Sequence, residues 1–323
     1  MKAFIAYHKE DNDGVFSAAI AKHYCERHDY DVDLMGLTYN DLKNISSNKE
    51  FKRFLDKAKS YDVFIMTDLS FNDWQYMDKL YNELLYRFVW IDHHAPVINL
   101  SHTKKYEISG VRETGRSAIL CMYKYLYDQF DEKYNAGDIP EIYKMLSGWD
   151  SFSYGHWNYS LDTVYWFNTG INFEVGLDID KAQKIVEDIY DNVDMTEFTK
   201  TTMKYGEVIC KSKATEMESI IKQFGDKSFV VGDKSHTACT LFMQGPTSSL
   251  MFNSVSDEVR HGIVFKRNID GTYSVSLYNL SNDDDFHCGT YLKEHYSGGG
   301  HKGAAGCQID KETFDKILMT KVL

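Results

Sequence analysis

The chain has 323 residues, 43% hydrophobic and 26% charged, which suits one large or two ordinary domains and excludes a disordered chain. It carries 36 Lys and Arg against 48 Asp and Glu, a net charge of −12, with no basic stripe of the kind that coats long nucleic acid. The six cysteines include no CxxC pair or zinc pattern, no leader-like segment opens the chain, and no apolar run reaches about 18 residues, so a soluble, cytoplasmic setting is expected.

Ala3–Tyr7 reads as a short apolar strand, followed by a helix from about Val15 to His28. Val32–Leu37 is a second strand candidate, Phe51–Ala58 has helical period, and Val63–Met66 reads as a buried strand. Trp74, Met77, Leu80, Tyr81, Leu84 and Leu85 mark an amphipathic helix. Phe88–Ile91 is again a buried strand, and Ser117–Phe130 again a helix. This alternation predicts an α/β fold with a doubly wound, mainly parallel sheet in residues 1–180. Asp180–Phe224 is charged, helical in period and free of proline, which suits a helical connector over 181–224; helices belonging to the first domain explain it equally well. Residues 225–323 read as a smaller α/β domain. Its strand candidates are Phe229–Val231, Ala238–Met243, Ile263–Phe265 and Tyr273–Leu277, with helical segments around Thr247–Val255 and Gly289–Tyr296. Alternation of Ser274 and Ser276 with Val275 and Leu277 predicts one exposed sheet face. Residues 297–306 read as a glycine-rich loop.

Four places put acidic or histidine residues immediately after an apolar, strand-like run: His8 to Gly14, Asp68, Asp92-His93-His94, and Asp150. In open α/β sheets ligands sit outside the carboxyl ends of the strands, so the first three clusters converge on one sheet edge. Taken singly, each has a plainer explanation: Asp11, Asp13 or any strand-end Asp caps a helix, and a His pair is often surface or core. Together they have the composition of a metal site, and oxygen-rich ligands with imidazole and no thiolate favour Mn²⁺. Two cations about 3.5–4 Å apart form the usual clamp for displacement at phosphorus, with one carboxylate bridging them and a bridging water, its pKa lowered, as nucleophile.

These residues resemble the motifs of the DHH phosphoesterase superfamily. Asp92-His93-His94 looks like the DHH motif itself, His8…Asp11-Asn12-Asp13-Gly14 is similar to the first motif, Asp68 to the second and Asp150 to the fourth. Gly298-Gly299-Gly300-His301 resembles the GGGH loop of the DHH-associated C-terminal domain, so the resemblance spans nearly the whole chain. It implies a DHH catalytic domain (1–180) and a DHH-associated substrate-binding domain (225–323). It also implies one metal on His8, Asp11 and Asp68 and another on Asp13, Asp68, His93 and Asp150, with Asp68 bridging. Asp68, His93 and His94 are then the catalytic residues, His94 facing the substrate phosphate and Asp92 orienting the His pair from behind.

Several residues are candidates for holding substrate. Consecutive glycines let backbone N–H groups approach an anion, His301 can donate to a phosphate or base edge, and Lys302 stands beside it; alone, such a run is equally a flexible turn. Where many relatives carry an Arg at the preceding strand end, this chain has Tyr278, which suits stacking on a base. Arg116, Ser117 and the helix start that follows could bind a phosphate or could be an ordinary capped loop, and Lys266 and Arg267 end a strand.

The resemblance implies a Mn²⁺-dependent phosphodiesterase hydrolysing short oligonucleotides (nanoRNA or dinucleotides) to mononucleotides. Trp149-Asp150 and Trp157–Phe167 are similar to the fourth-motif region of the oligoribonuclease branch. Alternatives are action on cyclic di-AMP, linear pApA or another small nucleotide. A non-catalytic nucleotide-binding regulator is the third, disfavoured because Asp13, Asp68 and His93 are all present. Expected partners are a short single-stranded RNA or DNA or a dinucleotide, no membrane, and, left open, a second copy of the chain.

Overall fold

Every residue of the first strand, β1 (Lys2–His8), is buried after Lys2. Ala3, Ile5 and Tyr7 join one apolar cluster and Phe4 and Ala6 another, because successive strand residues face opposite sides of a sheet. A strand buried on both faces needs helices on both faces, as in parallel sheets. The computed structural model, which describes residues 1–71, 73–130, 139–232, 236–245, 247–281, 286–300 and 302–323, has this layering in the first of its two units, Met1–Ile209.

In chain order this unit runs β1, α1 (Asn12–Arg27), β2 (Asp31–Leu37), α2 (Tyr39–Ile45), α3 (Asn48–Lys59), β3 (Val63–Thr67), α4 (Trp74–Leu84), β4 (Phe88–Ile91), α5 (Ala95–Ser101), α6 (Ala118–Phe130), α7 (Glu141–Asp150), α8 (Leu161–Glu174) and α9 (Ile179–Tyr190). The sheet order is β2-β1-β3-β4, all neighbours parallel. Val15, Ala18 and Ala19 of α1 cover one face with residues of α6 and α9. Phe51 and Phe54 of α3 and Trp74, Met77 and Leu80 of α4 cover the other. The chain passes from β1 outward to β2 and then back across β1 to β3 and β4 on its other side, which makes the carboxyl end of β1 and β3 the topological switch point. The register then sets the chemistry. Tyr7 pairs with Thr67 and Thr67 with Ile91, so the next residues, His8, Asp68 and Asp92, stand in one row at the sheet edge.

The stretch Asp180–Phe224 is not one helical rod. It contains α9 and α10 (Thr196–Phe224), interrupted at 191–195, and Ala182, Ile185 and Val186 of α9 lie in the first unit's core.

The second unit, Cys210–Leu323, contains β5 (Asp226–Val231), β6 (His236–Phe242), β7 (His261–Arg267), β8 (Tyr273–Asn279), α11 (Cys288–Tyr296), β9 (Gly299–Gly300), β10 (Ala304–Ile309) and α12 (Lys311–Thr320). Its sheet order is β5-β6-β7-β8-β10-β9, with β6 and β7 parallel and the other pairs antiparallel. Three expectations change here. Thr247–Val255 yields only a 3₁₀ turn, Ser249–Phe252, not a helix. Ser274 and Ser276 are half-buried, because a second apolar cluster around Phe252, Val264 and Tyr278 covers that face. The glycine run is partly a strand: Gly300 pairs with Ala305 and Gly299 with Gly306. All six cysteines are free, five of them buried. Among the described residues no helix is long and apolar enough to cross a membrane.

Candidate active site

His8 ends β1, and Asp11 caps the helix that follows, its Oδ1 accepting the Gly14 N–H at 2.9 Å. Gly14 lets the first turn of α1 lie against β1: a Cβ there would fall 2.0 Å from the His8 carbonyl oxygen. Asp13 projects inward from the same turn and is 3% exposed. Its two carboxylate oxygens accept the Ala118 and Ile119 N–H groups at 2.6 and 2.9 Å, at the start of α6. Asp68 leaves β3 with φ of 52°, a left-handed conformation that is costly for a residue other than glycine. Its N–H donates to the Ile91 carbonyl at 2.9 Å, which fixes the turn.

Asp92 is fully buried, and its Oδ1 accepts the His93 N–H (2.7 Å), the His94 N–H (3.1 Å) and His94 Nδ1 (2.8 Å). Burial would raise its pKa, but the His94 hydrogen bonds outweigh that and hold it below the ordinary carboxylate value. Asp92 Oδ2 takes the Trp90 indole N–H at 3.2 Å, and the same N–H lies 3.1 Å from the Leu69 carbonyl. Trp90 thus ties the turn after β4 to the turn after β3.

The centre of the site is His93. Its Nε2 lies 3.3 Å from Asp68, 3.4 Å from Asp150 and 3.6 Å from Asp13. Asp150 arrives from the last turn of α7, not from a strand. Asp11 lies close enough to Asp68 to act on its charge, and His8 Nε2 stands 3.4 Å from Asp11. Burial, followed by the neighbouring carboxylates Asp13, Asp11 and Asp92, pushes Asp68 well above the usual carboxylate range. Burial and then Asp13 do the same to Asp150, and burial raises Asp13. For His93, burial alone would lower the pKa; Asp13, Asp150 and Asp92 outweigh it and raise it. Asp68 Oδ1, Asp150 Oδ2 and His8 Nδ1 are buried without hydrogen-bond partners. Converging carboxylates with unmet acceptor atoms need positive charge, and the donor set of carboxylates and imidazole fits hard to borderline divalent ions. Asp13, His93 and Asp150 form one group with ligand atoms close enough to hold an ion; Asp68, His93 and His94 form another.

One residue of the site was not singled out from the sequence. Tyr39, the first residue of α2 beyond β2, has its hydroxyl 3.5 Å from His94 Nε2 and its ring centre 5.1 Å from that of His8. Burial and then the carboxylates Asp92, Asp68, Asp11 and Asp150 raise its pKa, so it remains a phenol. The signal was available, since Tyr39 follows a strand end as the other site residues do.

Other expected substrate contacts change. Ser117 is fully buried, and the α6 amides that were to bind phosphate already serve Asp13. Arg116 pairs with Glu113 at 2.8 Å. In the second unit Tyr278 is not a stacking surface: its ring is buried near Phe252, and its hydroxyl donates to Thr247 Oγ1 at 2.8 Å. Gly298 and Gly300 are required by packing, because a Cβ on either would come within 2.6 Å of β10 atoms. Gly299 faces open space, and the Lys302 side chain is exposed. His301 lies outside the described residues. Lys266 and Arg267 close β7, the first half-buried and the second exposed.

No protein-family model and no curated protein sequence matches the chain. Solved structures do. The pGpG-specific phosphodiesterase PggH of Vibrio cholerae superposes with a TM-score of 0.52 at 13% identity, over 99% of this chain and 97% of that one. RecJ of Thermus thermophilus in complex with Mn²⁺ gives 0.50 at 13% identity, over 99% of this chain and 51% of that one. Both are DHH superfamily members, and the likeness is one of fold.

Proposed function

We propose that the chain is a DHH-type phosphodiesterase that holds two divalent cations, Mn²⁺ by preference, and hydrolyses short oligonucleotides or dinucleotides to mononucleotides. The observation that carries this reading is the meeting of Asp13, Asp68 and Asp150 around His93 Nε2, with Asp68 Oδ1 and Asp150 Oδ2 unmet. His8, Asp11 and Asp68 would hold one ion, and Asp13, Asp68, His93 and Asp150 the other. When bound, the ions supply Lewis-acid activation of water and neutralise charge on the phosphodiester.

The chain's own residues do the rest. Asp92 accepts a hydrogen bond from the Nδ1–H of His94, which leaves Nε2 as the working end of that ring beside the Tyr39 hydroxyl. From there Tyr39 donates its hydroxyl proton to a non-bridging phosphate oxygen, and His94, as the imidazolium with its Nδ1–H held by Asp92, donates from Nε2–H to another, which orients the scissile bond. Asp13, anchored by two α6 amides, and Asp68, anchored through the Ile91 carbonyl, hold ligand positions with little rearrangement. Water adds to phosphorus, the P–O ester bond breaks, and the departing sugar oxygen takes up a proton. The second unit, with Gly299 and Lys302 as its exposed candidates, is assigned to substrate binding, and the six free cysteines suit a cytoplasmic setting.

A second reading, action on a linear or cyclic dinucleotide such as pApA or cyclic di-AMP, is favoured by the likeness to a pGpG-specific phosphodiesterase. A product time course in Mn²⁺ over labelled oligomers of increasing length, with cyclic di-AMP alongside, tests both. Turnover concentrated on the shortest oligomers supports the first reading, and a strong preference for one dinucleotide supports the second. Absence of Mn²⁺-dependent turnover on every substrate overturns both.

A further inference from the structure

The end of α7 carries an aromatic step beside Asp150 that the reaction above does not use. Trp149 precedes Asp150, and its ring stacks on Tyr165 of α8 with centroids 5.0 Å apart and planes at 25°. Phe152 follows, its ring 6.0 Å from that of Trp149 and tilted by 37°. Trp149 and Tyr165 are half-buried, whereas Phe152 is 69% exposed. Phe152 sits just past the helix cap Ser151 with φ of 52°. A left-handed residue commonly ends a helix, but glycine is the usual choice there, because a Cβ makes the conformation strained. Phe152 therefore accepts backbone strain and gains little burial to offset it. Strain kept in a bulky exposed side chain next to reactive groups points to a ligand contact.

We propose that Trp149, Phe152 and Tyr165 form a base-stacking subsite that seats a nucleobase of the substrate. The inference rests on the phosphodiesterase reading and deepens it by naming where the first unit would hold a base. Aromatic side chains hold any base through its π-face, so the subsite gives affinity without sequence preference. Phe152 follows Asp150 by two residues, which keeps their Cα atoms within about 7 Å. The step thus borders a residue that would hold an ion, and a base seated on it would belong to the nucleotide at the scissile phosphate or to its neighbour.

The test measures steady-state kinetics of the full-length protein in Mn²⁺ on a 5′-phosphorylated diribonucleotide and on its abasic analogue. Phe152→Gly removes the ring and relieves the strain, so its melting temperature should match or exceed that of the wild type. Its KM for the diribonucleotide should rise about tenfold, as expected for one lost stacking contact, with no such rise for the abasic analogue. Phe152→Tyr should restore the wild-type KM, and Phe152→Leu, which keeps bulk without a π-face, should not. Phe173→Ala, at an equally exposed ring two turns further along α8, should change neither substrate's kinetics. An unchanged diribonucleotide KM in Phe152→Gly, or an equal rise on both substrates, overturns the subsite while leaving the phosphodiesterase reading intact. A wild-type protein that cleaves neither substrate overturns that reading and the subsite together.

Discussion

Asp68 combines a left-handed backbone, nearly complete burial and an acceptor oxygen with no hydrogen-bond partner. In the metal-free protein its pKa is raised in the folded state. Its contribution is therefore fully present below the unfolded value of about 3.9 and is lost as pH rises through the higher folded value. Metal-free wild type should melt at progressively lower temperature above about pH 4. Asp68→Asn removes the buried charge, so it should melt above the wild type at pH 8 and lose that advantage near pH 4. With Mn²⁺ the order reverses, because the wild type gains more from the ions than a protein that lacks the shared ligand, and Asn at this position should abolish nearly all turnover. Thermal melts across pH with and without Mn²⁺ read all of this; an Asp68→Asn protein stabilised by Mn²⁺ as much as the wild type would contradict the bridging role. Tyr39 offers a milder test. Loss of its hydroxyl in Tyr39→Phe should lower kcat/KM about tenfold, the effect of one hydrogen bond to a charged group, without moving the melting temperature. Wild-type kinetics in that variant would remove Tyr39 from the site. The strand-end aspartates were legible because their position along the chain is their position at the sheet edge. Tyr39 obeys the same rule, but a tyrosine after a strand carries no chemical flag until His94 is seen beside it.

At the scale of elements, the approach of α1 to β1 governs the site. A methyl group at residue 14 would meet the His8 carbonyl at 2.0 Å, a backbone atom that cannot swing aside. Gly14→Ala should therefore displace the first turn of α1 and carry Asp11 and Asp13 with it. It is expected to cost about 1–3 kcal/mol in urea unfolding, typical of overpacking. Mn²⁺ affinity should fall at least tenfold by titration, as when ligands lose their orientation. A wild-type affinity would show that the turn tolerates the shift. The glycine run at 298–300 teaches a different lesson. Its glycines were legible, but two of the three answer to packing against β10, and only Gly299 remains open for a ligand. Likewise the start of α6, a plausible phosphate cradle in sequence, is occupied by a carboxylate from 105 residues earlier in the chain. Such partnerships leave no periodic trace, because nothing in the local pattern records which distant side chain fills a helix end.

At the scale of the whole molecule, the charge of −12 bears, under the proposed function, on substrate length more than on substrate class. Asp11, Asp13, Asp68, Asp92 and Asp150 are gathered at one sheet edge, so on the proposed reading part of the excess would bind cations that in turn attract phosphate. With no basic track, the protein should engage few phosphates. On single strands each neutralised phosphate contributes a log–log salt slope of about −0.7, so the dependence of 1/KM on salt should stay shallower than about −2 for all oligomer lengths. A slope that steepens steadily with length would reveal an extended nucleic-acid track and contradict the short-substrate reading.

The amino-acid sequence determined the strand and helix alternation, the parallel sheet of the first unit and the acidic and histidine clusters at strand ends, because apolar periodicity and strand termini are properties of consecutive residues. Tertiary structure decided the remainder. The register placed His8, Asp68 and Asp92 in one row, α7 brought Asp150 to His93, and α2 brought Tyr39 to His94. It also withdrew Ser117 and Tyr278 from any surface role by burying them. Each of these depends on pairs of residues tens to more than a hundred positions apart, where the cost of a buried charge or an unmet hydrogen bond is settled by packing and not by local pattern.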